Sequence, residues 1–336
     1  MAYKPAMSLA LVCFFLLVFS TSPSGVRAQQ RHLHSSAGVG SNQLPMYVAK
    51  DLGIFDKYGL NVELIVITGG ARSLQALFGG STHSANMAAM APVSAVLSGG
   101  DIVIVGAILN KSLQKFVARK EIRKPVELRN KKIGIANFGG SSEFGALMAL
   151  REWKIPPESV TLTIAGGGRE RMLALEAGGI DATLLSYAET LMAAKKGMNV
   201  LGEMTELVPE FPDRLIMVRR SYLDKERDSV KKFLQAISEG IIKVRTDRER
   251  TVTSLMKHLR LDRQVAEENY QGSRDAYSFP PRVGRKGMQG VLDIFQQQTG
   301  RPKSDFEMSR FVDESVIDEL EREGFFKRID VNTTRK

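Results

Sequence analysis

Apolar residues along the chain follow two spacings, one typical of buried strands and the other typical of helices. Short apolar runs occur at 61–67, 83–87 and 102–108, and their length suits strands buried in a parallel sheet. Apolar residues recur at helical spacing in 46–58, before the first run. They do so again at Leu74, Leu77 and Phe78, between the first two runs, and from Pro92 onward, before the third. Strands that alternate with helices of this length predict α/β layers built on a parallel sheet.

The alternation stops at a charged segment, residues 111–129, and then begins again. The second set consists of predicted strands at 132–136, 160–164, 182–185 and 200–203, and of predicted helices at 142–153, 169–177 and 187–196. A weak, polar first strand is expected at 30–40, and a strand at 214–218 returns to the first lobe. Helical patterns continue from there to the end of the chain.

This pattern predicts an α/β protein with two lobes, each a mainly parallel sheet flanked by helices. We assign 29–112 together with 218–336 to the first lobe, and 113–217 to the second. The chain segments near 109–116 and 218–222 are expected to form the hinge. Ligands of such sheets bind outside the carboxyl ends of the strands, so a cleft between the lobes is the expected site.

The N-terminus has the features of a secretory signal peptide. Lys4 precedes an almost wholly apolar stretch, residues 7–20, and Val26-Arg27-Ala28 places small residues before a cleavage point after Ala28. The apolar stretch is shorter than the ~20 residues that a membrane-spanning helix needs. We therefore expect residues 1–28 to be removed and the mature protein to reside in the periplasm.

Composition narrows the chemistry. The net charge is +10, but the basic residues are scattered among acids, and no basic and aromatic platform suggests nucleic-acid binding. The single cysteine, Cys13, lies within the signal, so the mature chain has no disulfide, thiolate nucleophile or cysteine metal ligand. No histidine or acidic cluster has the spacing of a metal site. We expect no cofactor and no catalysis.

The stretch at 137–153, NFGGSSEFGALMALREW, contains the most informative loop of the second lobe. Gly139 and Gly140 allow backbone conformations that a Cβ would forbid, and Ser141 or Ser142 can cap the helix that follows. The start of such a helix presents free N–H groups and a partial positive charge to a ligand. An ordinary capped helix after a strand is the alternative.

Four segments resemble the substrate-binding proteins of ABC importers in the nitrate, taurine, aliphatic sulfonate and thiamine-precursor class. They are NQLPMYVAKDLGIFDKYGLNVEL (42–64), GGARSLQALFGG (69–80), RNKKIGIANFGGSSEFGALMAL (129–150) and MLALEAGGIDATLLSYAETLMAAKKG (172–197). The resemblance covers about 42–218 in the family's order, and the C-terminal helices follow it only loosely. It implies the two-lobed type II periplasmic binding protein fold, capture of a small molecule, delivery to a permease and its ATPase, and a monomer.

Carried over position by position, the resemblance implies a set of ligand-binding loop residues. They are Gln43, Leu44, Pro45, Gly70, Ala71, Asn86, Met87, Ala88, Gly140, Ser141, Ser142, Ser186, Tyr187 and Glu189. We expect an acceptor group of the ligand at Ser141 and Ser142, and an apolar or aromatic part near Phe138, Met87 and Tyr187. The loop SANMAAMAP departs from the family pattern.

Several of these residues also have purely structural explanations. Gln43 can cap the following helix, Met87 can fill the core, and Glu189 can complement a helix dipole. At the level of function, two alternatives to import remain open. One is an extracytoplasmic sensory module of the same fold, and the other is an enzyme like the branch that makes the thiamine pyrimidine, although that branch uses a cysteine-rich segment that this chain lacks.

Overall fold

The computed structural model describes Met1 and residues 29–334, with residues 331–334 described as backbone only. The predicted signal peptide, apart from Met1, lies outside the described residues. Within the described part of the chain, no helix has both the length and the apolar character required to cross a membrane.

The strands are short and largely buried. In chain order they are β1 (Gln30–Ser36), β2 (Leu60–Val66), β3 (Ser84–Met87), β4 (Val103–Leu109), β5 (Lys115–Ala118), β6 (Lys132–Ile135), β7 (Thr161–Ile164), β8 (Ala182–Leu185), β9 (Asn199–Glu203) and β10 (Arg214–Val218).

The helices fall between the strands and then follow one another to the C-terminus. They are α1 (Leu44–Asp51), α2 (Ile54–Lys57), α3 (Gly70–Phe78), α4 (Met90–Leu97), α5 (Ser141–Glu152), α6 (Gly168–Glu176), α7 (Tyr187–Lys195), α8 (Met204–Leu207), α9 (Arg220–Lys225), α10 (Arg227–Thr246), α11 (Arg248–Leu259), α12 (Arg263–Ser273), α13 (Arg285–Thr299), α14 (Met308–Phe311), α15 (Ser315–Arg322) and α16 (Phe325–Thr334).

The strands form two five-stranded sheets, one in each lobe. The first has the order β2-β1-β3-β10-β4, and the second has the order β7-β6-β8-β5-β9. In the first sheet β1 is parallel to β2 and β3, while β10 runs antiparallel to its two neighbours. In the second, β6 is parallel to β7 and β8, and β5 is antiparallel to β8 and β9. The predicted mixed α/β fold with two mainly parallel sheets is confirmed.

The chain crosses between the sheets after β4 and returns before β10. The return therefore lies at 208–213, because β10 pairs with β3 and β4 in the first sheet. This differs from the expected hinge at 218–222, which instead joins β10 to α9. The predicted lobe boundary between 217 and 218 falls inside a strand of the first sheet.

Two predicted elements differ from the structure in informative ways. The single helix expected at 46–58 is split into α1 and α2 at Gly53, whose φ of 65° is unfavourable for residues with a Cβ. β5 lies within the charged segment at 111–129, where no strand is expected. It is only four residues long, but Phe116 and Val117 are fully buried between β8 and β9.

The long helix α10 anchors the C-terminal helices to the first sheet. Its predicted apolar face is confirmed, since Val230, Phe233, Leu234, Ile237 and Ile241 are all at most 1% exposed. These side chains join the core that lies under β1, β2, β4 and β10. Because this core is large, the first lobe forms a firm wall for the cleft.

Candidate functional site

A cavity of about 640 Å³ lies where the carboxyl ends of the parallel strands of both sheets face each other. The first lobe contributes residues after β1 and β2, the first residue of β10 and the turn between α11 and α12. The second lobe contributes the starts of α5, α6 and α7. The lining includes Ser41, Asn42, Gly69, Arg214 and His258–Leu261 from the first lobe, and Ser141, Ser142, Gly168–Met172, Ser186 and Glu189 from the second.

The start of α5 presents two serines with different roles. Ser142 is 3% exposed, and its Oγ accepts a hydrogen bond from the backbone N–H of Ala136 at 2.8 Å. This bond fastens the helix start to the end of β6. Ser141 is partly exposed to the cavity, and its hydroxyl makes no hydrogen bond to any described residue. Ser141 and the free N–H groups at the start of this 12-residue helix can therefore receive an acceptor group of a ligand.

Glu189 lines the cavity but is already engaged by its own helix. Its Oε2 accepts from the backbone N–H of Ser186 at 3.0 Å and from the Ser186 hydroxyl at 2.6 Å, which forms a capping box at the start of α7. A Cβ at Gly168 would collide with the Glu189 carboxylate, so a larger residue there would displace that carboxylate. The carboxylate thus lies against the starts of both α6 and α7.

Arg171 is a buried cation on α6, behind the part of the cavity that Glu189 lines. Its side chain donates to Thr183 Oγ1 at 3.0 Å, to the Gly166 carbonyl at 2.6 Å and to the Leu184 carbonyl at 3.0 Å. The residue is 4% exposed and makes no ion pair with any described carboxylate. Burial lowers the pKa of Arg171, and the carboxylates of Glu189 and Glu170 act in the opposite direction. Much of the Glu189 charge is therefore balanced within the lobe.

Arg214 forms the floor of the cavity on the side of the first lobe. Its Nη1 donates to the backbone carbonyl and to Oδ1 of Asp213, both at 2.7 Å. Asp213 is 2% exposed; burial raises the pKa of its carboxyl group, and Arg214 and Asn42 act to lower it. The Nε of Arg214 is buried and has no hydrogen-bond partner in the described part of the chain.

Unsatisfied polar atoms distinguish this cavity from another one. Besides Arg214 Nε, Oδ1 of Asn42 and Oε1 of Gln114 are buried without hydrogen-bond partners among the described residues, and all three atoms belong to residues that line the cavity. Buried polar groups are normally hydrogen-bonded, so a ligand or water is expected to satisfy these three. A second cavity of about 540 Å³ lies between α5 and α13. None of its described lining residues has a buried side-chain atom that lacks a partner.

Most of the site residues expected from the sequence do not line this cavity. Ser141, Ser142, Ser186 and Glu189 line the cavity. Those that lie elsewhere are Gln43, Leu44, Pro45, Gly70, Ala71, Asn86, Met87, Ala88, Phe138, Gly140 and Tyr187. Their role in binding stays a prediction. The structure shows their burial and their contacts in this conformation.

Gln43 and Asn86 are buried and pair with each other through both amide groups, at 3.1 and 2.5 Å. Met87 is 2% exposed, and its sulfur faces Gly70 at the start of α3. Phe138 is 56% exposed. Near Gln43 and Gly70, the neighbouring residues Asn42 and Gly69 reach the cavity instead, whereas no described residue of the loop after β3 lines it.

Leu44, Pro45 and Ala88 are buried. Ala71 is exposed at the start of α3. A Cβ at Gly140 would lie 2.9 Å from Oδ1 of Asn137. These positions support the loops rather than the cavity surface.

Two contacts join the lobes beside the cavity. Gly69 of the first lobe has a φ of 96°, and a Cβ there would lie 3.6 Å from Oδ1 of Asn137 in the second lobe. Tyr187 packs on helix α12, where a Cβ at Gly272 would lie 2.9 Å from the tyrosine Cε2. Tyr187 therefore holds the two lobes together in this conformation.

Sequence reasoning missed Arg214, Arg171 and the turn at 258–261. Arg214 is the first residue of an otherwise apolar strand, RLIMV, and follows Asp213 directly. This pattern could have indicated a charged pair at the end of a buried strand. Arg171 lies among other charged residues of α6, and nothing local marks it as buried. The turn at 258–261 lies far from the other loops in sequence. Among the described residues, no group of three or more histidine, cysteine or acidic side chains is arranged to hold a metal.

Solved structures share this fold at low sequence identity. The periplasmic aliphatic sulphonate binding protein SsuA from Escherichia coli superposes with a TM-score of 0.69 at 20% identity, covering 84% of this chain and 91% of that one. The alkanesulfonate-binding protein SsuA from Xanthomonas axonopodis pv. citri, bound to MOPS, gives 0.68 at 17%, covering 86% and 97%. The periplasmic nitrate-binding protein NrtA from Synechocystis PCC 6803 gives 0.69 at 12%, covering 87% and 88%.

Comparison of the sequence with curated proteins finds no match. The family model described as NMT1/THI5 like matches residues 41–250. This match spans more than half of the chain and includes β2 to β10, together with most of the cleft loops. The protein therefore belongs to the NMT1/THI5-like family.

Proposed function

We propose that this protein is an extracytoplasmic solute-binding protein. It captures a small organic anion between its lobes and delivers it to the permease and ATPase of an ABC importer. The observation that carries the proposal is the buried, unpartnered Nε of Arg214 on the cavity floor. A buried guanidinium N–H without a partner is costly, and an anionic oxygen would satisfy it with a charge-assisted hydrogen bond.

The charge of the cavity supports an anion over a neutral ligand. Among the described residues, the lining contains four arginines and two glutamates, namely Arg169, Arg171, Arg214, Arg260, Glu170 and Glu189. Glu189 is held by the capping box and lies near Arg171, so its charge is largely balanced. Ser141 and the start of α5 add further hydrogen-bond donors from the second lobe.

Binding without turnover fits the chemistry of the lining. His258 is the one histidine among the described lining residues, and its Nε2 lies 3.0 Å from Oδ2 of Asp51. Its ring also stacks on Tyr47, with ring centroids 4.3 Å apart. Within the described part of the chain, His258 makes no hydrogen bond to a hydroxyl group that it could activate as a nucleophile.

A role in import is supported by the structural relatives that bind sulfonates and nitrate. The expected signal peptide agrees with an extracytoplasmic location. On this account the mature protein is a monomer that meets its permease when the cleft is closed on the ligand.

The first experiment is a thermal-shift screen of the mature protein with alkanesulfonates, nitrate, aminopyrimidines and aromatic carboxylates. A compound present at about 100 times its Kd stabilises the folded state by about 2.7 kcal/mol. We expect sulfonates or carboxylates to raise the melting temperature of the wild type and not of Arg214→Gln. Arg72→Gln is the matched control, because Arg72 is exposed outside the cavity. If no anion shifts the wild type, the proposed function is wrong.

The second experiment separates import from sensing. A strain that lacks this gene should lose uptake of the bound compound and regain it with the wild-type gene. The Arg214→Gln gene should not restore uptake. Normal uptake in the deletion strain would contradict the importer role.

A further inference from the structure

The turn between α11 and α12 completes the cleft with residues from outside the matched family region. Residues 258–261 line the cavity, whereas the family match ends at residue 250. This part of the wall therefore belongs to the C-terminal helices, which follow the family pattern only loosely. A feature of this kind is suited to setting ligand preference within a shared fold.

The turn is held firmly against the first lobe. Asp51, the last residue of α1, accepts hydrogen bonds from Ser254 Oγ at 2.7 Å and Lys257 Nζ at 2.6 Å, and it lies 3.0 Å from His258 Nε2. The His258 ring is nearly parallel to that of Tyr47, with an angle of 6° between them. These contacts fix the turn so that it presents its next residues to the cavity.

Arg260 adopts an uncommon backbone conformation in this turn. Its φ is 54°, in the left-handed region, at the position after α11 where glycine is usual. Strained positions of this type are often retained at functional sites. Arg260 is exposed in the cavity and makes no hydrogen bond or ion pair with any described residue. The helix dipole does not explain why an arginine stands at position 260, since Lys257 and His258 already place basic groups in the last turn of α11.

Arg169 lines the same cavity from the other lobe. It is the second residue of α6, so its charge opposes the positive end of that helix. It is exposed and, within residues 29–330, has no ion-pair partner. Glu170 also lines the cavity, but its side chain folds back over the helix start, where a Cβ at Gly167 would lie 2.7 Å from Oε2.

We propose that Arg260 and Arg169 form a second anion subsite, so that the natural ligand is an organic dianion. One anionic group binds at Arg214, and the other binds between Arg169 and Arg260. This inference rests on the proposed function and narrows its ligand class. Two unpaired cations on facing lobes repel each other, and an anion between them reverses that repulsion and favours closure of the cleft.

The test compares linear alkanesulfonates with sulfonates of the same chain length that carry a terminal carboxylate. Calorimetric titration of the wild type should show that the best sulfocarboxylate binds at least about tenfold more tightly than its alkanesulfonate. Arg260→Asn should remove this advantage, because it should weaken sulfocarboxylate binding about tenfold and alkanesulfonate binding by a smaller factor. Asparagine is chosen because it tolerates the left-handed conformation. Arg260→Gly is the second variant, and Arg72→Gln is the control.

The possible outcomes are distinct. If alkanesulfonates bind and sulfocarboxylates bind no better, the second subsite is wrong and the proposed function stands. If Arg260→Asn weakens both classes equally, Arg260 shapes the cleft without reading a second charge, and the inference is wrong. If neither class binds the wild type and the thermal-shift screen is negative, the proposed function itself fails.

Discussion

The guanidinium of Arg214 lies 2.7 Å from the carboxylate of Asp213, its neighbour in sequence, at the base of the cleft between the lobes. The two side chains are only 9% and 2% exposed. The pair places a balanced charge at the carboxyl ends of β3 and β4, and Arg214 Nε has no hydrogen-bond partner among the described residues. We propose that a ligand fills this place. Stability and binding are therefore expected to depend on the same arginine.

The first prediction concerns the stability of this pair. Arg214→Gln leaves the Asp213 carboxylate buried without its cation, and such a loss costs about 3–5 kcal/mol of unfolding free energy. Asp213→Asn combined with Arg214→Gln should recover part of that loss, because no charge remains buried. Urea unfolding of both single variants and the double variant measures the coupling. Purely additive changes would show that the two groups do not stabilise each other.

The second prediction separates the two serines at the start of α5. Ser141→Ala should weaken anion binding and leave the unfolding free energy within about 0.5 kcal/mol of wild type. Ser142→Ala should lower the unfolding free energy by about 1 kcal/mol or more, since the backbone N–H of Ala136 loses its buried acceptor. Titration calorimetry and urea unfolding of both variants provide the comparison. The reverse pattern would mean that Ser142 is the ligand contact.

The third prediction is that acid lowers the unfolding free energy because two histidines of β1 are buried. His34 is 1% exposed, its Nδ1 lies 2.8 Å from Ser84 Oγ, and its Nε2 has no partner among the described residues. Burial lowers the pKa of His34 to about 3. Burial also lowers the pKa of His32 well below its usual value, and the nearby His34 and His83 act in the same direction.

Because the folded-state pKa is lowered, the unfolded chain binds the extra proton first. His34 therefore contributes stability that is complete above about pH 6.5 and is lost as the pH falls towards about 3. Each such proton gives a slope of about 1.4 kcal/mol per pH unit in this interval. His34→Gln should reduce the slope of unfolding free energy against pH measured by urea titration. An unchanged slope would contradict the assignment.

The fourth prediction concerns the contact between Tyr187 and Gly272. A Cβ at Gly272 would lie 2.9 Å from the ring, so Gly272→Ala should destabilise the protein by about 1–3 kcal/mol. In a Tyr187→Ala background the same change should be neutral or stabilising, because alanine is the better helix former. Thermal unfolding of the four proteins tests this. A destabilisation of equal size in both backgrounds would show that the ring is not what the new methyl group meets.

The positions of strands and helices follow from the sequence because apolar spacing depends on which faces are buried. The face of α10 and the strands of the parallel core are predicted on this basis. β5 is not predicted because its four residues, KFVA, carry too little pattern and are followed by the charged run RKEIRK. Its pairing with β8 and β9 is also long-range. The break at Gly53 is not predicted either, because helices often tolerate a glycine within a helical pattern.

For the candidate site, the loops are predictable and the individual side chains are less so. A loop after a parallel strand reaches the cleft. A shift of one position along the loop decides which side chain points into the cleft and which points into the core. Gln43 points into the core and pairs with Asn86, and Asn42 lines the cavity instead. Arg260 comes to the cleft from the turn between α11 and α12, and only the folded chain brings it to the same cavity as Arg169.

The most direct test of the central claim is a crystal structure of the mature protein with the tightest-binding anion of the screen. The account predicts that one anionic group of the ligand lies about 2.7–3.2 Å from Arg214 Nε and from the Ser141 hydroxyl, with the lobes closed around it. A ligand found outside the cleft, or one within it that leaves Arg214 without an anionic partner, would contradict the account.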